Sequence, residues 1–244
     1  NWFKIKIRFI VKVAIIGYGN MGKEVEKVLV SRGHEISKVI DIENNNEDFK
    51  DTDIAIIFST PASAVQNIKK CLINDIPVVC GTTGWLDNYE EIKLLCEKSN
   101  GTFLFSPNFS IGVNLFFKLN KYLSELMSDF SDYSVKMKEI HHTKKIDKPS
   151  GTAIKLAIPI VNNLSLEGWS LKKDKNKLEI QCERKDDVKG LHNVIYESEI
   201  DSISISHDAK SRKGFALGAV MCAEWIISKK GVFTMEDFLS DIKF

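Results

Sequence analysis

Residues 11–16 read VKVAII, an apolar, β-branched run that predicts a buried strand. Glycines follow at once. Residues 23–31 then set Val25, Val28 and Leu29 on one helical face, with Gly33 where a helix C-cap belongs. Further strands are predicted over 36–40, 53–58, 76–80 and 102–105. Helices are predicted over 62–73, with Pro61 in the first turn, and over 89–98. Strand and helix alternating through short connections predict a parallel sheet covered on both faces.

The rhythm changes near Asn108. A long amphipathic helix is expected over 113–127, an alternating strand over 133–140, a polar loop, and a helix over 152–164. Three short alternating strands follow over 178–183, 192–198 and 202–206 without helices between them, which predicts a mixed or antiparallel sheet in a second domain. An apolar helix over 215–227 comes next, then a short one opened by Thr234 with Asp237 at the capping-box position. The expected fold is α/β: a Rossmann dinucleotide-binding domain from residues 1–108 and 214–244, with an inserted α+β substrate and oligomerisation domain at 109–213.

Composition narrows the partners. A net charge of +1 provides no bulk field towards nucleic acid or membrane, so an anionic ligand must be held by locally placed cations and amides. The five cysteines are odd in number and form no Cys-x-x-Cys, which predicts reduced thiols in a cytosolic protein. No apolar run approaches the ~20 residues of a membrane span. Residues 1–10 mix Lys4, Lys6 and Arg8 with apolar side chains and lack the core and cleavage site of a signal peptide. They fit either a leader placed before the natural start or an extension of the first strand.

Gly17, Tyr18, Gly19, Asn20, Met21 and Gly22 form a G-x-G-x-x-G set between strand and helix. The first glycine permits a tight turn, the second admits a pyrophosphate and the third lets helix pack on strand; the helix N-terminus attracts the anion. Asp41 closes the second strand where an acid can bind ribose hydroxyls, and Ile42, not arginine, follows it. NADH is therefore favoured over NADPH. Two small-residue loops at strand C-termini, Phe58-Ser59-Thr60-Pro61 and Gly81-Thr82-Thr83-Gly84, extend the same groove.

The stretch from Glu139 to Ala153 concentrates the chemistry. It holds His141, His142, Lys144, Lys145, Asp147 and a Ser150-Gly151-Thr152 turn between a strand and a helix. Amides at a helix N-terminus suit a carboxylate, lysine and histidine add cationic donors, and histidine moves protons near neutral pH. Nothing at zinc-like spacing completes a metal site around the two histidines, so no metal is expected.

E-x-H-H-x-x-K-x-D-x-P-S-G-T-A resembles the signature of the 4-hydroxy-tetrahydrodipicolinate reductase family. The similarity extends to Gly17–Gly22, Gly81–Gly84, the segment from Ser106, Pro107, Asn108 and Phe109 to Asn114, and 206–212. The resemblance implies that His141 and Lys145 are the proton-handling pair, with either able to deliver the proton. It implies that His142, Gly151 and Thr152 contact the substrate. Cofactor contacts would be Gly17, Tyr18, Gly19, Asn20, Met21, Gly22, Gly81, Thr82, Thr83, Ser106, Pro107, Asn108 and Phe109, with Asp41 supplying half of an acid–arginine pair. It further implies a ring dicarboxylate substrate, a role in diaminopimelate and lysine biosynthesis, and a homotetramer. The rival expectations are a related Rossmann amino-acid dehydrogenase and a silent NAD-binding regulator, which would have no use for His141, His142 and Lys145.

Overall fold

The computed structural model describes residues 10–41 and 48–242. The expectations for residues 1–9 and for Ile42 lie outside them. The run at the start forms β1 (Lys12–Ile16), and α1 (Asn20–Arg32) follows, closed by Gly33 in the left-handed region. β2 (Glu35–Ile40), β3 (Ile54–Ile57), α2 (Pro61–Ile73), β4 (Val78–Cys80), α3 (Tyr89–Lys98) and β5 (Thr102–Phe105) complete the alternation.

Contacts divide the chain into two units, one running to Ile111 and resuming at Arg212, the other Gly112–Ser211. The first unit's sheet has the order β11-β5-β4-β3-β1-β2, every pairing parallel, where β11 is Gly231–Thr234. The order reverses at β1, the position where open parallel sheets bind ligands beyond their strand C-termini. Among the described residues a single strand, β2, lies beyond β1. β3 is buried on both faces, so its residues are apolar without alternation. One face packs Ala55, Ile57 and Val78 against Ala64, Ile68 and Leu72 of α2 and Ile92 of α3. Each fully buried valine, leucine or isoleucine among them contributes about 1.5–3 kcal/mol.

The apolar helix α6 (Lys213–Ile226) belongs to this unit and packs along α1. Gly218 permits it: a Cβ there would fall 1.8 Å from the Phe109 carbonyl oxygen. Glu224 locks the pair by accepting from Arg32 Nε and Nη2 at 2.6 and 2.7 Å and meeting His34 Nε2 at 2.7 Å. α7 (Met235–Asp241) begins at Thr234 with the reciprocal Thr234–Asp237 capping box.

The second unit contains most of α4 (Ile111–Met127), then β6 (Ser134–His141), α5 (Gly151–Asn163), β7 (Trp169–Ser170), β8 (Leu178–Arg184), β9 (Leu191–Glu197) and β10 (Ser202–Asp208). Its sheet runs β10-β9-β6-β8-β7 and is mixed: β6 lies antiparallel to β9 and parallel to β8. Along β6, Met137, Glu139 and His141 are buried on one face. α5 lays Ala153, Leu156, Ala157 and Ile160 over Met137, Ile180, Val194 and Tyr196. Two short strands, β7 and β11, were not predicted; each is set by the strand it pairs with, β8 and β5. Four of the five cysteines are buried and all five are free thiols. No helix among the described residues is long and apolar enough to cross a membrane.

Candidate functional site

The first unit builds its site from loops at the C-terminal ends of β1, β3, β4 and β5. Gly17 has φ +89°, and a Cβ on it would sit 2.3 Å from the Phe58 carbonyl oxygen. A Cβ on Gly22 would sit 2.2 Å from the Gly17 carbonyl oxygen, and one on Gly81 would strike the Phe58 ring at 2.1 Å. These three glycines are demanded by the protein's own packing. Gly19 differs: it caps α1 with extended backbone, and a Cβ there meets nothing within 4 Å. Its open surroundings at a helix N-terminus fit the approach of a pyrophosphate. Asn20 and Met21 open α1, and Tyr18 donates its hydroxyl to Glu26.

The neighbouring loops are cross-tied. The Ser59 amide donates to Thr82 Oγ1 at 2.9 Å, and Trp85 Nε1 donates to the Thr82 carbonyl at 2.7 Å, so Thr82 is buried for structural reasons while Thr83 is exposed. Ser106 Oγ donates to the Asn108 carbonyl, and Asn108 Oδ1 accepts from the Ser110 amide. Phe109 is buried edge-on to Phe58 with ring centroids 6.0 Å apart, and Pro107 is exposed. The Gly17 amide donates to the Ile40 carbonyl at 2.8 Å, which sets exposed Asp41 beside the glycine turn. Lys38, the nearest cation in sequence, has its Nζ 5.7 Å from the centre of the Phe49 ring.

In the second unit, loop 142–149 joins β6 to α5 and contains a cis Lys148–Pro149 bond. Ser150 caps α5, its hydroxyl accepting from the Ala153 amide at 3.1 Å. Gly151 and Thr152 supply the first amides of the helix, which have no intrahelical acceptor. The Lys145 amide donates to the His142 carbonyl at 3.1 Å, turning the loop, and Lys145 Nζ lies 2.8 Å from Asp147 Oδ1. His142 is half-buried, with Nδ1 enclosed and unpartnered among the described residues. His141 points inward and is buried with its ring centre 5.0 Å from that of His192. The histidines adjacent in sequence thus serve different surroundings, as alternation along a strand end requires.

Three residues in this cluster were given no role by sequence reading. Glu139, wholly buried, accepts from the Ser150 amide through both carboxylate oxygens, at 3.2 and 3.0 Å. His192 Nε2 lies 3.2 Å from Ser150 Oγ and 3.7 Å from Glu139 Oε2. Arg184 donates to the Lys145 and Asp147 carbonyls at 3.1 and 2.5 Å and reaches Glu139 Oε1 at 3.4 Å. The only local signal was a carboxylate two residues before a histidine on an alternating strand; His192 and Arg184 arrive from β9 and β8.

Burial works to raise the Glu139 carboxyl, but the Ser150 hydroxyl and amide, the Cys182 thiol and His141 outweigh it and hold the group below the ordinary carboxylate value. Burial, aided by Lys145 and Arg184 and opposed by Glu139, lowers His141. Burial and then the charge of His141 push His192 down to about 4. Contrary to expectation from spacing, the described residues do hold one grouping with metal-ligand chemistry: Glu139, His141 and His192 place ligand atoms within 4.8 Å of one another. Arg184 already supplies a permanent cation to its carboxylate.

These values predict acid lability. A histidine whose folded pKa is depressed favours the folded state above its unfolded value near 6.5 and loses that contribution as pH falls towards 4. For His192 the full span corresponds to about 3 kcal/mol. Thermal melts should therefore drop between pH 7 and 4.5, and His192→Gln should flatten the drop. An equal drop in the variant would refute this assignment.

Two family models match most of the chain: "Dihydrodipicolinate reductase, N-terminus" over residues 11–109 and "Dihydrodipicolinate reductase, C-terminus" over 112–239. The chain belongs to the dihydrodipicolinate reductase family. A 4-hydroxy-tetrahydrodipicolinate reductase of Christiangramia forsetii is 48% identical over 234 residues, covering 94% of this chain and 98% of that protein. One of Archaeoglobus fulgidus is 32% identical, covering 93% and 99%. Among solved structures, a dipicolinate-bound dihydrodipicolinate reductase from Paenisporosarcina sp. TG-14 shares the fold, with a TM-score of 0.74 at 21% identity and coverage of 93% and 98%. As a member of this reductase family, the chain is an oxidoreductase that uses a pyridine nucleotide.

Proposed function

We propose that this chain reduces 4-hydroxy-tetrahydrodipicolinate to tetrahydrodipicolinate in diaminopimelate and lysine biosynthesis, as a cytoplasmic enzyme. The observation that carries the reading is loop 142–149. It carries His142 and Lys145 between buried His141 at the end of β6 and Gly151 and Thr152 at the start of α5, in a chain whose relatives bear that name. The glycine turn around Gly19 and Asp41 holds the dinucleotide, with Gly81, Thr82, Thr83 and the Ser106–Phe109 segment completing its seat. A nicotinamide dinucleotide held there would supply the hydride for the ring reduction, which takes up one proton and releases one water. His142 and the Gly151 and Thr152 amides bind the ring carboxylates, and Lys145 or His141 handles the proton.

Titrating NADH fluorescence with and without pyridine-2,6-dicarboxylate tests the reading. The planar dicarboxylate should tighten NADH binding and inhibit competitively with substrate. A chain that binds NADH yet ignores the dicarboxylate would contradict it.

Asp41 supports a preference for NADH, since a carboxylate accepts from ribose hydroxyls and repels a 2′-phosphate. kcat/KM should be higher with NADH by about tenfold, the equivalent of 1.4 kcal/mol. Asp41→Ala should narrow the gap; a wild-type preference for NADPH would overturn the assignment. A homotetramer is the proposed assembly. The seven-residue β10 at the sheet edge offers unpaired backbone for self-association, and sedimentation velocity would reveal it.

A further inference from the structure

Behind the proton-handling loop lies a buried charge whose partners come from the head of α5 (Ser150) and from three strands of the sheet: His141 on β6, Arg184 on β8 and His192 on β9. Glu139 Oε2 is 3.6 Å from His141 Nδ1, and that nitrogen is enclosed without a hydrogen-bond acceptor among the described residues. The same carboxylate receives the Ser150 amide, so it fixes the start of α5 where Gly151 and Thr152 begin the helix. Through its contact with Arg184 it also stands next to the group that holds the Lys145 and Asp147 carbonyls. On the far side of the His141 ring, Gly190 leaves just enough room: a Cβ there would come 3.2 Å from Nε2.

We infer that Glu139 is a positioning residue for the reduction, setting the His141 ring and the head of α5 in one frame and supplying the counter-charge when His141 takes up a proton. The inference rests on the functional reading above. An isolated carboxylate would not stay ionised in this interior; two oxygens bonded to an N–H and faced by a guanidinium let it do so. An ionised carboxylate beside a titrating imidazole stabilises the imidazolium, the part an orienting aspartate plays behind a catalytic histidine. The competing use of the Glu139, His141 and His192 trio is a divalent cation. Arg184 argues against it, because its charge already neutralises the carboxylate and would repel a second cation at the same oxygen.

The groups facing His141 are Glu139 on its own strand, Lys145 and Asp147 in the loop, Arg184 on β8 and His192 on β9. Replacing Glu139 by glutamine keeps an acceptor for the Ser150 amide and removes the charge. Glu139→Gln should move the His141-dependent limb of the kcat/KM profile to lower pH by about 1–3 units. kcat at the optimum should fall at least about tenfold, with NADH affinity unchanged. Glu139→Asp, which restores the charge, should return the limb towards the wild-type position. Should Glu139→Gln fail to fold, Arg184→Gln reads the same electrostatics with the opposite sign and should move the limb to higher pH. Titration of the His141 ring by NMR should report these shifts whether or not the enzyme turns over. Wild-type protein without reductase activity would sink the functional reading alone. An active wild type whose limb and His141 titration are unmoved in Glu139→Gln would sink this inference. So would zinc that raises the wild-type melting temperature and fails to raise that of Glu139→Gln.

Discussion

Lys145→Ala is expected to lower kcat by about 10²–10⁴-fold, the range for losing a placed proton-transfer group, or about 3–5 kcal/mol of barrier. The loop should survive the change. Its course is set by main-chain contacts, the Lys145 amide to the His142 carbonyl and Arg184 Nε to the Lys145 carbonyl, and both persist in alanine. The side chain's structural partner is Asp147 Oδ1 at 2.8 Å, a pair open enough to water that its contribution to stability is about 0–1 kcal/mol. A near-native melting temperature with a collapsed kcat is thus the signature of a chemical role. NADH affinity should hold, since every residue assigned to the dinucleotide lies in the other unit. His142→Ala should behave differently, raising KM more than it lowers kcat, because a carboxylate contact kept throughout the reaction is uniform binding. One further consequence is local. Asp147 is held below its ordinary carboxylate value chiefly by the hydrogen bond from Lys145, so its carboxyl should titrate at higher pH in the variant. An unchanged kcat in Lys145→Ala would remove Lys145 from the mechanism.

What the sequence made legible divides along the length scale of each signal. Helices with several turns were readable because one apolar face repeats within the segment itself, and α3 falls on its predicted residues, while β5 was readable as a short, apolar run. β7 and β11 were not, since their existence is decided by β8 and β5, the strands they pair with. The same boundary runs through the candidate site. Gly17–Gly22 and the stretch from His141 to Thr152 stand out because their chemistry is contiguous. The supports do not: His192 lies across 42 residues from Ser150 and Arg184 across 45 from Glu139, and only the register of β6 with β8 and β9 makes them neighbours. For the same reason spacing alone completes no ligand set around His141: Glu139 stands two residues before it, but His192 joins them only through the pairing of β6 with β9. Local motifs thus reveal the groups proposed to meet substrate, while the groups that pack around them are specified by topology.

The glycine turn allows the demands of packing and of cofactor to be separated by two single substitutions. In Gly22→Ala the new methyl would lie 2.2 Å from the Gly17 carbonyl oxygen, a backbone atom with no rotamer by which to move away. α1 must shift off β1, and overpacking of this kind costs about 1–3 kcal/mol or more. The melting temperature and NADH affinity should both fall. In Gly19→Ala the methyl meets nothing within 4 Å, and φ −73° with extended backbone does not require glycine. Folding stability should stay within about 0.5 kcal/mol of wild type, or rise slightly because alanine has fewer unfolded conformers. If Gly19 is glycine for the sake of the pyrophosphate, the methyl occupies space the ligand needs, and the NADH dissociation constant should rise about tenfold or more. Thermal melts and NADH fluorescence titration on the two variants measure all four quantities. Equal NADH affinity in wild type and Gly19→Ala would show that the dinucleotide does not approach this turn. A stable, tightly binding Gly22→Ala would show that α1 can move away from the turn at little cost, contrary to the packing described here.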